Sequence, residues 1–235
     1  MNFYQAHTYW ESLQQLKSTQ GAQKAVIDCV SLLLEDDKHP SLQLHPLKQA
    51  KDQNMWSARA SEDFRIILHR TNVDTVLLYA DLHEPAYKWG ENRVLKAHPK
   101  TGAMQIIVVR EEEEIVRHPV YVQEEVKKPP PLAHIPDDDL LGYGVPEENI
   151  AELKAADDDR LLEIAVDLPS EAQEAVLVLA AGGKPESHEA EEEVQDPFEH
   201  PDAKGRFRVL ENVKELELAL EYEWEKWVVF LAPAQ

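Results

Sequence analysis

The chain of 235 residues holds one cysteine and eight glycines, and aromatic residues make up 7% of it. A single cysteine excludes a disulfide framework and a zinc site built on thiolates. The shortage of glycine bears on nucleotide chemistry. A phosphate-gripping loop needs the spacing G-x-x-x-x-G-K-[ST], because backbone amides and a lysine wrap the phosphates while a hydroxyl holds magnesium. The one Gly-Lys pair is Gly183-Lys184; the first glycine of the pattern would fall on Val178, and the hydroxyl position is Pro185. That pair reads as a helix stop, so the chain by itself is expected not to hydrolyse ATP. No basic-then-apolar leader opens the sequence, and no apolar run approaches the roughly 18 residues of a membrane span. A soluble, cytoplasmic chain without a membrane partner is the expectation.

Hydrophobic residues amount to 43%, enough for a core, so the whole chain does not read as disordered. The net charge is −21, from 24 Lys and Arg against 45 Asp and Glu. The charge is unevenly placed. Residues 1–100 hold 12 basic and 12 acidic residues, and the remaining 135 hold 12 basic and 33 acidic. A step of this kind separates two regions with different tasks. The neutral region can face a phosphate backbone; the acidic one can do so only locally.

Periodicity supplies the architecture. The first segment reads helical, with Trp10, Leu13 and Leu16 in a short helix. Gly21 separates it from a second helix in which Val26, Cys29, Val30, Leu33 and Leu34 form one apolar stripe. Cys29 in that stripe is a small core hydrophobe. The period then becomes two: Trp56, Ala58 and Ala60, then Phe64, Ile66 and Leu68, then a strand from Val73 to Tyr79 after a turn at Asn72. A helix from Glu84 to about Asn92 tolerates Pro85 in its first turn. Val94–His98 and Met104–Val109 predict a hairpin trailing this domain.

The fold class expected is α+β: two N-terminal helices on an antiparallel sheet, spanning residues 1–110. A connector follows over 111–136, with Glu111–Glu114 and the stiffening run Pro129-Pro130-Pro131. Residues 137–183 read as a small acidic helical module, with a capping box at Ser170-Glu171-Ala172-Gln173 and a stop at Gly182-Gly183. Residues 184–203 have the composition of a disordered acidic linker. From 204 to 235 apolar residues return, including Leu216, Leu218, Leu220, Trp224 and Trp227. Trp224 and Trp227, three apart, are more often a core pair than a base-stacking platform.

Three stretches together resemble the RelE/ParE toxin-like domain: Asn54-Met55-Trp56-Ser57-Ala58-Arg59, Asp63-Phe64-Arg65-Ile66-Ile67-Leu68-His69, and His83-Glu84-Pro85-Ala86-Tyr87-Lys88-Trp89. More narrowly they resemble the version found at the N-terminus of UvrD/Rep-like superfamily I DNA helicases. Asp138-Asp139-Leu140-Leu141-Gly142-Tyr143-Gly144-Val145-Pro146 and Leu168-Pro169-Ser170-Glu171-Ala172 resemble the helical segment that follows in those proteins. Residues 224–235 resemble the lead-in to a helicase core that opens with a Q-motif glutamine, here Gln235. The resemblance implies an accessory or regulatory region that binds nucleic acid or a protein partner, with a helicase core as its partner in cis. ATP and magnesium belong to a longer parent, where Gln235 would read the adenine edge; no cofactor is expected in this chain. The alternative is a RelE/ParE-type toxin, a ribosome-dependent mRNA endonuclease or gyrase-directed protein, with an acidic extension. A third reading is a module that holds a basic protein.

For a nuclease, the resemblance implies that Arg59 and Arg65 occupy two basic positions of the family. His83 stands near a further arginine, Trp89 near a catalytic tyrosine, and Tyr87 is two residues earlier. Such groups orient a 2′-hydroxyl, stabilise the phosphorane and protonate the leaving oxygen. For binding alone, Lys48 and Lys51 join Arg59 and Arg65. The bland alternative is that both arginines are sheet-face residues serving solubility or pairing with acids. His83-Glu84-Pro85-Ala86-Tyr87 fails the zinc pattern H-E-x-x-H, because Tyr87 replaces the second ligand. His39, His45, His98, His118, His134, His188 and His200 lack ligand spacing, so no metal is expected, and a surface position is the default for each. The acidic runs lack the spacing of a calcium loop.

Overall fold

A computed structural model describes residues 2–19, 21–110, 129–185, 196–212, 214 and 217. The chain divides into two units: residues 1–93 with 201–235, and residues 94–200. Along the chain, β1 (Asn2–Ala6), α1 (His7–Gln15), α2 (Ala22–Glu35), β2 (His45–Pro46), β3 (Met55–Arg59), β4 (Phe64–Arg70), β5 (Asp74–Leu82) and α3 (His83–Glu91) come first. There follow β6 (Arg93–Ala97), β7 (Met104–Val108), α4 (Asp137–Gly142), α5 (Glu147–Ala155), α6 (Asp158–Ala165) and α7 (Ser170–Ala180). Two short elements, α8 (Pro201–Lys204) and β8 (Phe207–Val209), come last.

The first unit is an α+β structure with N-terminal helices on a mixed six-stranded sheet, in the order β2-β3-β4-β5-β1-β8. β3, β4 and β5 form an antiparallel meander. The Thr71–Asp74 turn closes the β4–β5 hairpin, with the Thr71 hydroxyl accepting from the amides of Val73 (3.2 Å) and Asp74 (2.9 Å). The opening residues depart from the helical expectation: Asn2–Ala6 is a strand, parallel to β5 in the register Tyr4↔Val76. Five residues with two aromatics are too short to carry a helical period, and pairing on both sides decides their state.

The two-residue alternation sorts the faces. Ala58, Phe64, Ile66, Leu68 and Leu77 pack with Leu13, Val26, Val30 and Leu33 of α1 and α2 in one buried core. Cys29 is buried there, and burial pushes its thiol up to about 12, so it stays protonated. α3 covers the opposite face. A Cβ added at Gly90 would stand 2.9 Å from Leu47 Cδ2 and 3.1 Å from Ile67 Cγ2, so only glycine lets this helix approach so closely. A bulge shifts the register between Ile67 and Leu68 on β4 opposite β5. There the Ala80 amide donates to Ser12 Oγ (2.9 Å), and Thr8 Oγ1 donates to the Leu78 carbonyl (2.7 Å). Two hydroxyls one helical turn apart thus complete backbone groups of β5.

In the second unit the hairpin β6–β7 forms its own two-stranded sheet, rather than trailing the first domain. Leu132, Leu140, Val145, Leu153, Leu161, Ile164 and Val176 form its helical core. His98 and Gln105 tie the hairpin to this core: His98 Nε2 donates to the Val145 carbonyl (3.0 Å), and Gln105 Nε2 donates to Gly144 O (3.1 Å) and Glu171 Oε1 (2.9 Å). Pairing with Gln105 draws Glu171 inward. α7 starts at Ser170 with Pro169 in the N-cap position and no side-chain cap, in place of the expected capping box. Asp157 does cap α6, accepting from the Arg160 amide at 3.0 Å.

The compositional linker 184–203 is ordered in its last part: Phe198, His200 and Ala203 are buried, and α8 runs over Pro201–Lys204. β8 then pairs antiparallel with β1, Gln5 opposite Arg208, so residues assigned to a helicase lead-in supply an edge strand of the first unit. Sparse but well-placed apolar residues, Phe198 and Phe207, outweigh the polar average there. Residues 111–128 of the connector lie outside the described residues, as do Trp224, Trp227 and Gln235.

Candidate nucleic-acid interface

The β2 edge of the first unit carries most of the polar residues singled out in the sequence. A 3-10 turn over Pro40–Leu42 ends at Gln43, which takes a left-handed conformation (φ 41°). This turn places two acceptors of Gln43 in different directions. Its carbonyl lies 2.6 Å from His45 Nδ1, and its side-chain Oε1 accepts from Arg59 Nη1 at 3.1 Å. A carbonyl oxygen only accepts, so Nδ1 is the donor of that contact. The Tyr87 hydroxyl is 2.9 Å from His45 Nε2. His83, one turn earlier on α3, meets the Tyr87 ring edge-on with centroids 4.3 Å apart. Arg59, Gln43, His45, Tyr87 and His83 therefore form one connected cluster. His83 Nδ1 also lies 3.2 Å from Glu84 Oε1.

Arg65 has a different place. It stands opposite Arg59 in the β3–β4 register, a like-charge pairing that costs stability unless acceptors intervene. Arg65 Nη1 donates to the carbonyls of Ser61 (2.9 Å), Glu62 (3.1 Å) and Phe64 (2.9 Å), while Arg59 Nε donates to Ser61 O (3.0 Å). Both guanidinium groups thus tie the hairpin loop. Arg65 is held by backbone carbonyls, and Arg59 alone reaches into the cluster.

Lys48 and Lys51 are exposed on the loop between β2 and β3. That loop is fixed from below. The Lys51 amide donates to the Glu91 carbonyl at the end of α3 (3.1 Å). Asp52 is buried against His69 (3.5 Å) and accepts from the Asn54 amide (2.9 Å). Burial lowers the His69 pKa, a shift that Asp52 opposes. The aromatic expected near a catalytic tyrosine, Trp89, stacks flat on Tyr79 (centroids 4.8 Å, 2°), and the Arg93 guanidinium lies 4.3 Å from its ring centroid. Burial and the Asp81 carboxylate push the Tyr79 phenol up to about 12, and its hydroxyl donates to Asp81 Oδ2 (3.1 Å).

Sequence reasoning missed Gln43 and His45. His45 stood among the histidines given a surface position. It becomes part of the cluster because His45 pairs with Ser57 across β2 and β3. Among the described residues no group of three His, Cys, Asp or Glu is placed to hold a metal ion, and no helix is long and apolar enough to cross a membrane.

No family model matches the chain, and no curated protein matches it. Solved structures similar to it include YafQ from E. coli strain BL21(DE3), at 10% identity and TM-score 0.32, covering 36% of this chain and 94% of that one. A chain of the E. coli DinJ-YafQ complex is similar at 12% identity and TM-score 0.33, with the same coverage. A YoeB/ParE toxin from Agrobacterium tumefaciens is similar at 14% identity and TM-score 0.31, covering 35% of this chain and 99% of that one.

Proposed function

We propose that the first unit is a RelE/ParE-toxin-like nucleic-acid-binding module that contacts a phosphate backbone at its β2 edge. The observation that carries this reading is the cluster of Arg59, Gln43, His45, Tyr87 and His83, beside a loop that exposes Lys48 and Lys51. Cations and hydrogen-bond donors at this edge supply what a phosphodiester needs: charge for affinity and directional donors for register. In the wider reading drawn from the sequence, this module is the accessory region of a UvrD/Rep-like helicase, with its motor and ATP in a longer parent.

RNA cleavage is a second reading, and the His45–Tyr87 hydrogen bond favours it. A phenol donating to an imidazole is a proton relay that can serve a 2′-hydroxyl or a leaving oxygen, and Arg59 lies one residue away through Gln43. Arg65 takes no part in it. The test measures the full chain with labelled single-stranded RNA and DNA by anisotropy, and the same RNA by gel. Salt-dependent binding that weakens in Lys48→Ala/Lys51→Ala supports the module. Cleavage lost in His45→Ala and Tyr87→Phe supports the nuclease. Absence of binding at low salt refutes both.

A further inference from the structure

In the second unit, α6 buries Leu161, Ile164 and Ala165 and turns Leu162 outward. Leu162 is 55% exposed. Val166, one helical turn later and still in helical conformation, is 73% exposed. One turn before Leu162, on the same face, stand Asp158 and Asp159, both exposed. The face thus presents two apolar side chains next to two carboxylates. Acidic residues in a first helical turn complement the helix dipole, so the aspartates alone would need no partner. Leu162 and Val166 have no such role, because the core contacts of α6 are made by Leu161 and Ile164 on its other face.

Charge decides what this face can meet. Residues 137–183 hold 13 acidic side chains and two basic ones. Both basic residues are committed: Lys154 pairs with Asp137, and Arg160 with Glu152 (2.6 Å) and Glu163 (2.8 Å). Three further cations of the same unit reach the helices. Lys96 pairs with Glu148, Lys100 with Asp138 (3.0 Å), and Arg110 with Glu152 (3.4 Å) and Asp167. None of them goes to Asp158 or Asp159, whose side chains have no ion-pair partner among the described residues. A nucleic-acid backbone or an anionic membrane is repelled here, and a cationic protein segment is attracted.

We propose that this face of α6 docks a cationic amphipathic segment of another protein. An apolar side chain of that segment packs on Leu162 and Val166, and its Lys or Arg side chains pair with Asp158 and Asp159. The apolar pair supplies the anchor, and the carboxylates select the sign of charge around it. The surface belongs to the second unit and is independent of the β2-edge cluster, which lies in the first.

The full chain is titrated with a labelled amphipathic Lys/Leu peptide by anisotropy, and the amide signals of residues 158–166 are followed by NMR. Oligolysine of equal charge is the control. Saturable binding that shifts the α6 signals and weakens with salt is expected, stronger than that of oligolysine. Affinity should fall about tenfold in Leu162→Ser/Val166→Ser and in Asp158→Asn/Asp159→Asn. Equal affinity for oligolysine, or binding unchanged in Leu162→Ser/Val166→Ser, reduces the face to a general attraction for cations and overturns the proposal. Shifts confined to residues outside α6 overturn it too. So does self-association that moves the same signals without peptide, which would make a second copy the occupant. If Asp158→Asn/Asp159→Asn loosens the first turn of α6, seen as a lost native spectrum, the Leu162→Ser/Val166→Ser pair alone is read. Single-stranded RNA, the probe of the β2 edge, should leave the α6 signals in place, so the two surfaces stand or fail separately; RNA that moves them contradicts the charge argument.

Discussion

Ser12→Ala tests whether α1 completes the backbone of β5 at its bulge. Ser12 lies in the middle of α1, where serine is a poorer helix former than alanine by about 0.5 kcal/mol. Its hydroxyl is buried, donates to the Tyr9 carbonyl (2.7 Å), and accepts from the Ala80 amide (2.9 Å). Ala80 is 1% exposed and follows the bulge where β5 departs from regular register with β4. Removing Oγ leaves the Ala80 amide buried without an acceptor, at a cost of about 1–3 kcal/mol. Setting the helix gain against this leaves a net loss of about 1–2 kcal/mol.

Urea unfolding followed by the fluorescence of Trp10, Trp56 and Trp89, all in the first unit, reads that loss as a lower midpoint at unchanged slope. Hydrogen exchange at the Ala80 amide gives a local reading. Thr8→Val is the companion, because it removes the donor to Leu78 O with little change of shape. The two hydroxyls serve β5 residues two apart, Leu78 and Ala80, at the same bulge, so the double variant should depart from additivity. An equal or higher midpoint in Ser12→Ala, with Ala80 exchange unchanged, would refute the reasoning that the serine completes the bulge.

Three further outcomes are expected. If Lys48, Lys51 and Arg59 each neutralise one phosphate, log affinity for single-stranded RNA falls against log salt with a slope of about −2; Lys48→Ala/Lys51→Ala brings it to about −0.7. An unchanged slope places binding elsewhere. Gly90→Ala inserts a Cβ 2.9 Å from Leu47 Cδ2, and overpacking exceeds the helix gain, lowering stability by about 1 kcal/mol; a higher urea midpoint removes the close-packing argument. His69 and His98 both have pKa values lowered chiefly by burial. For a histidine whose folded value lies below its unfolded one, stability is full above the unfolded pKa of about 6.5 and is lost as pH falls below it. Melting temperatures should therefore fall from pH 7.5 to 5.5, and less so in His98→Gln; a melting temperature independent of pH contradicts the buried neutral histidines.

The helices and central strands were legible because their signal is local. The stripe from Val26 to Leu34 and the alternation through Phe64, Ile66 and Leu68 repeat often enough to fix both type and face. What was hidden depends on distant pairing. β1 is a strand because β5 and β8 flank it, and those partners lie more than 65 and 200 residues away. The hairpin β6–β7 had the right residues but the wrong allegiance: buried His98 and Gln105 bond to carbonyls near residue 145, which no periodicity in 94–109 reveals.

The same distinction divides the site. Arg59 and Arg65 look equivalent in sequence, both basic and both on strand ends. Their separation comes from Gln43, whose left-handed turn gives Arg59 a side-chain acceptor and gives His45 a carbonyl, while Arg65 is spent on three carbonyls of its own hairpin. Replacing Gln43 therefore acts on two residues at once. Gln43→Ala removes the Arg59 acceptor and keeps the His45 carbonyl, whereas Gln43→Gly also loosens the turn that aims that carbonyl. Binding should weaken in both variants, and the His45–Tyr87 contact should loosen further in the glycine variant. Equal imidazole NMR shifts for His45 in the two would show that the turn does not set its orientation.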